Sequence, residues 1–268
     1  MVPVPRYRPV SFPTHGSTRL TAPFGKTNLC FEKSNVRSKK RTYLSAELQS
    51  RVMSEGLSSR ALALLKSMHS NGVTNWVYTR QLAKLARVSL STASVECREF
   101  AKHGILLQKV EGREKYYRWN LSDSRARKLC ELFETERREK FYLQNKRLSW
   151  ALQEFSKRVF DFLPEIQSVV MFGSAARAQL TKTSDVDLLV LVPNLQQDPF
   201  NELMKSVDKL AADMRGLYGY PLSAVIMTVK DFEAAFREKK RIAQDVVREG
   251  IVLFGEERYY TLLGRLIT

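Results

Sequence analysis

Cysteine is scarce in this chain. Its three copies, Cys30, Cys97 and Cys130, are odd in number and far apart. That spacing excludes a disulfide framework and a Cys-x-x-Cys metal site, and fits reduced thiols in a cytoplasmic protein. Histidine is equally sparse. His15, His69 and His103 fall in three separate segments without a carboxylate at ligand spacing, so neither a zinc site nor a Ser-His-Asp triad is signalled. Long apolar runs are missing as well. The longest, such as Ala61–Leu65 and Leu188–Val192, are far too short to cross a bilayer, and no membrane partner is expected. Acid is nearly missing from the start of the chain, where Glu32 stands alone among the first 42 residues.

What is present is positive charge, unevenly placed. The 268 residues suffice for one large or two ordinary domains, and 44% hydrophobic residues support a genuine core. The net charge is +16. Residues 1–42 hold nine basic and one acidic side chain, residues 43–160 hold 22 and 12, and residues 161–268 hold 13 and 15. A basic surface attracts a polyanion by releasing its counterions, so nucleic acid is expected on the first 160 residues. Residues 1–42 are rich in Pro, Ser and Thr without sustained periodicity and read as a basic, disordered tail. Its Arg37–Arg41 run also suits DNA or a nuclear-type address, and its Arg/Ser-rich start has the look of a transit peptide.

Helix periodicity begins at Ser59. Ala61, Leu64, Leu65 and Met68 share one face of a first helix that ends near Asn71-Gly72. A second helix begins near Thr79 with Leu82, Ala83 and Leu85 apolar, and a third runs from about Ser91 to His103. In the third, Ala93, Cys97, Phe100 and Ala101 face the core, while Ser91, Thr92, Ser94, Val95, Arg98 and Lys102 form a small, polar and basic outer side. Ile105–Val110 and Tyr116–Asn120, joined by a charged Glu-Gly-Arg-Glu-Lys turn, read as a β-hairpin. This order, with the segment Thr79–Ser94 as its core, resembles the winged helix-turn-helix of prokaryotic transcription regulators over roughly residues 57–121. The resemblance implies a recognition helix in the major groove of double-stranded DNA and a wing on its backbone. Arg98, Lys102, Arg113 and Lys115 would then reach phosphates or guanine. A winged helix used only for protein contact is the competing reading.

Residues 122–160 are dense in charge with scattered large apolar groups and read as a helical linker of one long helix or two in sequence. Such a connector, paired across a homodimer, would suit a palindromic operator.

The segment Val169–Val192 carries the chemistry. Ile166–Phe172 is an apolar, β-branched strand, Gly173-Ser174 turns the chain, a short helical piece follows, and Val186–Val192 is a second buried strand. Side chains alternate along a strand, so Asp185 and Asp187 project to one side. Two carboxylates so close repel unless a cation lies between them, and Mg²⁺ or Mn²⁺ accepts such a pair together with substrate phosphates. Backbone amides at Gly173 and Ser174 are placed to cradle a triphosphate.

Gly173-Ser174, Arg177 and Ser184-Asp185-Val186-Asp187-Leu188 resemble the signature of the polymerase-β-type nucleotidyltransferases, in the minimal form of bacteria and archaea, over about residues 150–258. The resemblance implies Mg²⁺ on Asp185 and Asp187, an NTP held by Gly173, Ser174, Arg177 and Ser184, and transfer of a nucleoside monophosphate. It also implies a third acid on a later strand. The matching strand, Leu222–Thr228, has none, and Asp231 fits a capping box on the following helix. Arg177-Ala178 further stands where the family often has Arg-Gly.

The expectation is a multidomain α/β and α+β protein: a tail (1–42), a winged helix-turn-helix (43–121), a helical linker (122–160) and a nucleotidyltransferase-like mixed sheet flanked by helices (161–268). Its function is a DNA-binding, Mg-NTP-dependent nucleotidyltransferase whose acceptor is open, a protein hydroxyl among the candidates. The alternatives are a nucleotide-sensing transcription regulator without turnover and an antitoxin-like partner of a toxin protein.

Overall fold

The structure is a computed structural model and describes residues 57–180 and 184–267. The reading of residues 1–42 as a disordered tail lies outside them. From the N-terminal side, α1 (Ser59–Ser70) is capped by the Ser58 hydroxyl, which accepts the Ala61 N–H at 3.0 Å. A two-residue strand, β1 (Val77–Tyr78), leads into α2 (Thr79–Ala86). Arg87 in the left-handed conformation then turns the chain into α3 (Leu90–Lys102), whose cap Ser89 accepts the Thr92 N–H at 3.0 Å. Strands β2 (Leu106–Glu111) and β3 (Glu114–Trp119) form the expected hairpin. They pair further than the sequence suggests, down to Glu111 opposite Glu114, leaving Gly112-Arg113 as the turn. The short strand before α2 is an addition: it lies against β3 and makes a three-stranded sheet of order β1-β3-β2. Ala93, Cys97 and Phe100 are buried as the α3 periodicity requires.

The segment read as a linker folds as two helices, α4 (Ser124–Gln144) and α5 (Lys146–Phe162), broken at Asn145. Asp123 caps the first by accepting the N–H groups of Arg125 and Ala126. Both helices bury apolar side chains. Ala126, Cys130, Leu132 and Phe133 of α4, and Leu148, Leu152, Phe155 and Val159 of α5, are buried in the core.

A second, four-stranded sheet follows. Strand β4 (Ser168–Phe172) leads through the one-turn helix α6 (Gly173–Ala176) to β5 (Val186–Val192). Helix α7 (Gln197–Tyr218) crosses to β6 (Leu222–Thr228). Helices α8 (Val229–Arg237) and α9 (Arg241–Glu249), strand β7 (Ile251–Phe254) and helix α10 (Glu256–Leu266) complete the chain. The sheet order is β6-β5-β4-β7, with β5 and β6 parallel and the other pairs antiparallel. It is therefore a mixed sheet flanked by helices.

Burial of both faces of β5 explains why its sequence after Asp187 is apolar without interruption. Leu188, Val190 and Val192 enter a core built with α5 and α7. Leu189 and Leu191 enter the other core, shared with α4, α8, α9 and α10 and continuous with the helices and small sheet of residues 59–121. The described residues accordingly cluster as one compact unit.

A buried carboxylate joins these layers. Glu134 on α4 accepts the Val252 N–H of β7 at 2.8 Å and the Tyr260 hydroxyl of α10 at 3.1 Å. His69 of α1 lies 2.8 Å from the same hydroxyl and 3.4 Å from the carboxylate. Burial, and then the Arg137 charge, hold His69 down at about 3, so it serves as a neutral hydrogen-bonding group. Burial pushes the Glu134 carboxyl up, and Arg137, 3.7 Å away, opposes that shift. Removing one member of such a network strands the others without water. Glu134→Ala should lower the unfolding free energy by about 3 kcal/mol, measured by urea denaturation of the full chain, because an amide, a hydroxyl and a guanidinium lose one acceptor together. A loss below about 0.5 kcal/mol, ordinary for a surface change, would show that water replaces the carboxylate there.

Candidate functional site

The site forms where β4 and β5 lie side by side. Phe172, the last residue of β4, is the register partner of Asp187. The next residue, Gly173, has φ of +69°. A Cβ there would overlap the Asp187 carboxylate oxygen Oδ2. Glycine is thus required twice, for its backbone conformation and for the closeness of an acid. Ser174 follows in α6 and is partly buried, and its carbonyl accepts the Gln179 N–H at 2.9 Å, closing the turn. Ala178 has φ of +57°, so alanine occupies a conformation that glycine adopts without strain.

On the facing strand, Asp185 is exposed just before β5, Ser184 beside it is partly buried, and Asp187 is partly buried within the strand. Asp185 and Asp187 are two residues apart, the first just outside the strand and the second within it, and close enough for the Asp185 charge to act on Asp187. Burial, then the Asp185 charge, raise the Asp187 carboxyl above its ordinary value, and Arg177 pulls the other way. Arg177 itself is held by two contacts. Its Nε donates to Gln179 Oε1 at 3.1 Å, and its Nη1 pairs with Glu249 Oε1 at the end of α9.

The third acid is missing from the described residues, as the sequence indicates. Strand β6 pairs in parallel with β5, and the register partner of Asp187 is Ser223, an exposed hydroxyl. Asp231 is engaged elsewhere: it accepts the Thr228 hydroxyl at 2.6 Å, and its N–H donates to that hydroxyl oxygen at 3.1 Å, capping α8. Among the described residues no group of three or more His, Cys, Asp or Glu side chains gathers around one point. Two aspartates with mutually unfavourable charges nevertheless form a hard, oxygen-only donor pair. Such a pair fits Mg²⁺ or Mn²⁺, which take their remaining ligands from phosphate and water.

Residues 148–249 match the family model described as "Nucleotidyltransferase domain". The matched region runs from within α5 to Glu249 and includes Gly173, Ser174, Arg177, Ser184, Asp185 and Asp187. A solved structure described as "Crystal structure of the toxin-antitoxin with AMP-PNP" is similar at 18% identity, covering 42% of this chain and 83% of that one, with a TM-score of 0.28. No curated protein matches the chain significantly.

Two features of the matched region escape sequence reading. Glu249 stands 72 residues from its partner Arg177, with no motif around it. Ser223 becomes the neighbour of Asp187 only through the parallel register of β5 and β6.

The residues singled out for nucleic acid lie outside the matched region. On α3, Ser91, Val95, Arg98 and Lys102 are exposed, and Thr92 and Ser94 are partly so. The Ser91 and Thr92 hydroxyls each lie 2.8 Å from Ser89 Oγ, which groups three hydroxyls at the helix start. Arg113, at the hairpin turn, and Lys115, on β3, are exposed. Beside them Lys109 lies over the rings of Trp76 and Tyr116, and Arg118 lies over Trp76.

The raised Asp187 carboxyl sets a pH-dependent balance. An acid whose folded pKa exceeds its unfolded one binds its proton more readily in the folded state, so stability is lost as pH rises through that window. In metal-free buffer at pH 7, Asp187→Asn should therefore melt above the parent, and the gap should close on acidification as Asp187 protonates. Thermal scans that show the variant melting lower at pH 7 would mean that the ionised carboxylate is stabilised by its surroundings.

Proposed function

We propose that this chain is a DNA-binding nucleotidyltransferase that uses a divalent cation and an NTP to transfer a nucleoside monophosphate to an acceptor hydroxyl. The observation that carries the catalytic half is the contact of Gly173 with Asp187, where a bend bare of side chain lies against one of two adjacent acids. The matched nucleotidyltransferase family supports it.

In this reading Asp185 and Asp187 hold Mg²⁺ or Mn²⁺, which when bound would neutralise charge on the phosphate oxygens. The main chain of Gly173 and Ser174 borders the phosphates, Arg177 adds positive charge, and Ser184 lies beside Asp185. The acceptor oxygen bonds to the α-phosphorus, the α–β bridging bond breaks, and pyrophosphate leaves in line. The acceptor proton passes to solvent, since β6 carries no acid next to Asp187. That same hydroxyl at Ser223 favours a second reading, in which the domain binds Mg-NTP as a sensor without turnover.

The direct test is incorporation of α-labelled ATP, CTP, GTP and UTP with Mg²⁺ by the full chain, alone and with extract of its own cells. The parent should label a macromolecule, and Asp185→Asn/Asp187→Asn should not. Absence of label with all four nucleotides, restored by Ser223→Asp, would establish the sensor. Equal labelling by parent and double variant would remove these acids from the chemistry.

For the DNA half, we propose that residues 57–121 form a winged helix whose α3 enters the major groove, with Arg98 and Lys102 on the duplex and Arg113 and Lys115 on its backbone. Support comes from the basic excess of residues 43–160 and the exposed, small-to-basic face of α3. Gel shifts of the full chain on a random duplex pool should weaken steeply with salt. Arg98→Ala should reduce the slope of log affinity against log salt by about 1. Failure to retain duplex DNA at low salt would end the DNA reading.

A further inference from the structure

Arg177 is the cation of the nucleotide site, and long cationic side chains bind phosphate well only when their orientation is settled beforehand. The Arg177–Glu249 pair is asymmetric in exposure: the arginine side chain is 41% exposed and the glutamate 13%. The acid is therefore the fixed member and the arginine the one presented to solvent.

Glu249 is held from several directions. Its carbonyl accepts Arg137 Nη2 at 2.9 Å, and the next carbonyl, of Gly250, accepts Arg137 Nη1 at 2.8 Å. Gly250 also leaves no slack, because a Cβ there would meet the Val246 carbonyl and the Val170 side chain. Arg248 approaches the second Glu249 oxygen at 3.7 Å. The carboxylate that holds Arg177 is thus anchored through α4, a helix wholly outside the nucleotide-binding turn.

We propose that Glu249 is a positioning residue that holds Arg177 in the orientation that meets the triphosphate, and so sets NTP affinity. This rests on the nucleotidyltransferase reading above. The two contacts of Arg177 engage Nε and Nη1, so a phosphate would be met through Nη2. Electrostatics and positioning predict opposite signs here. Deleting an acid near a phosphate site by charge alone strengthens anion binding, so a fall in affinity isolates the positioning effect.

The experiment is calorimetric titration of the full chain with Mg²⁺ and each of ATP, CTP, GTP and UTP, with a thermal melt of every variant. For the nucleotide the parent binds most tightly, Glu249→Ala should weaken binding about tenfold, as Arg177→Ala does, the size of one charged hydrogen bond. Glu249→Gln keeps an acceptor oxygen and should lose only about threefold, less than half of that free energy. Arg177→Ala/Glu249→Ala should bind no more weakly than Arg177→Ala alone, since an anchor without its arginine has nothing to place. Binding by Glu249→Ala as tight as the parent's, Glu249→Gln no better than Glu249→Ala, or losses that multiply in the double variant would overturn the inference and leave Glu249 a purely structural residue of the α9–β7 turn. A parent that binds none of the four nucleotides would instead overturn the function on which the inference rests.

Discussion

The structure depends most on one buried carboxylate. Glu134 accepts hydrogen bonds from the backbone of β7 and from Tyr260 of α10, and lies beside His69 of α1 and Arg137 of its own helix. A buried charge is tolerated only where such partners converge, and here they come from several layers. The convergence sets α4 against β7 and brings α1 onto the same core. A neutral His69 adds a donor or acceptor without a second buried charge to compensate.

The site shows the opposite economy. Asp187 is partly desolvated and lies close to another acid, an arrangement that disfavours its ionised form. Gly173 contributes no side-chain packing, and Ala178 occupies a left-handed conformation. These features gather between Gly173 and Asp187, beside a sheet whose strands are mainly apolar. Arg177 relieves part of the unfavourable charge at Asp187, and its partner Glu249 is tied through Arg137 to α4, the helix that carries Glu134.

Much of this was legible in the chain. The segment from Val186 to Val192 reads as a buried strand because its apolar run is short and bounded, and β5 has the bounds anticipated. The α3 core face of Ala93, Cys97 and Phe100 follows from spacing alone, and so does the Thr228–Asp231 cap. The segment 122–160 was less legible. Its periodicity indicates a helical linker of one helix or two, but not that its apolar residues are divided between two cores, because long charged side chains cover a helix while one narrow face is buried.

Local order thus determined the elements, the Gly-Ser turn and the close spacing of Asp185 and Asp187, because helix and strand periods act over a few residues. Only the tertiary structure decided that Gly173 lies against Asp187, that Ser223 faces that acid across a parallel pair, and that Glu249 reaches back to Arg177. These contacts join residues far apart in the chain. Strand register and helix packing create them, and no local pattern records which distant partner a side chain will meet.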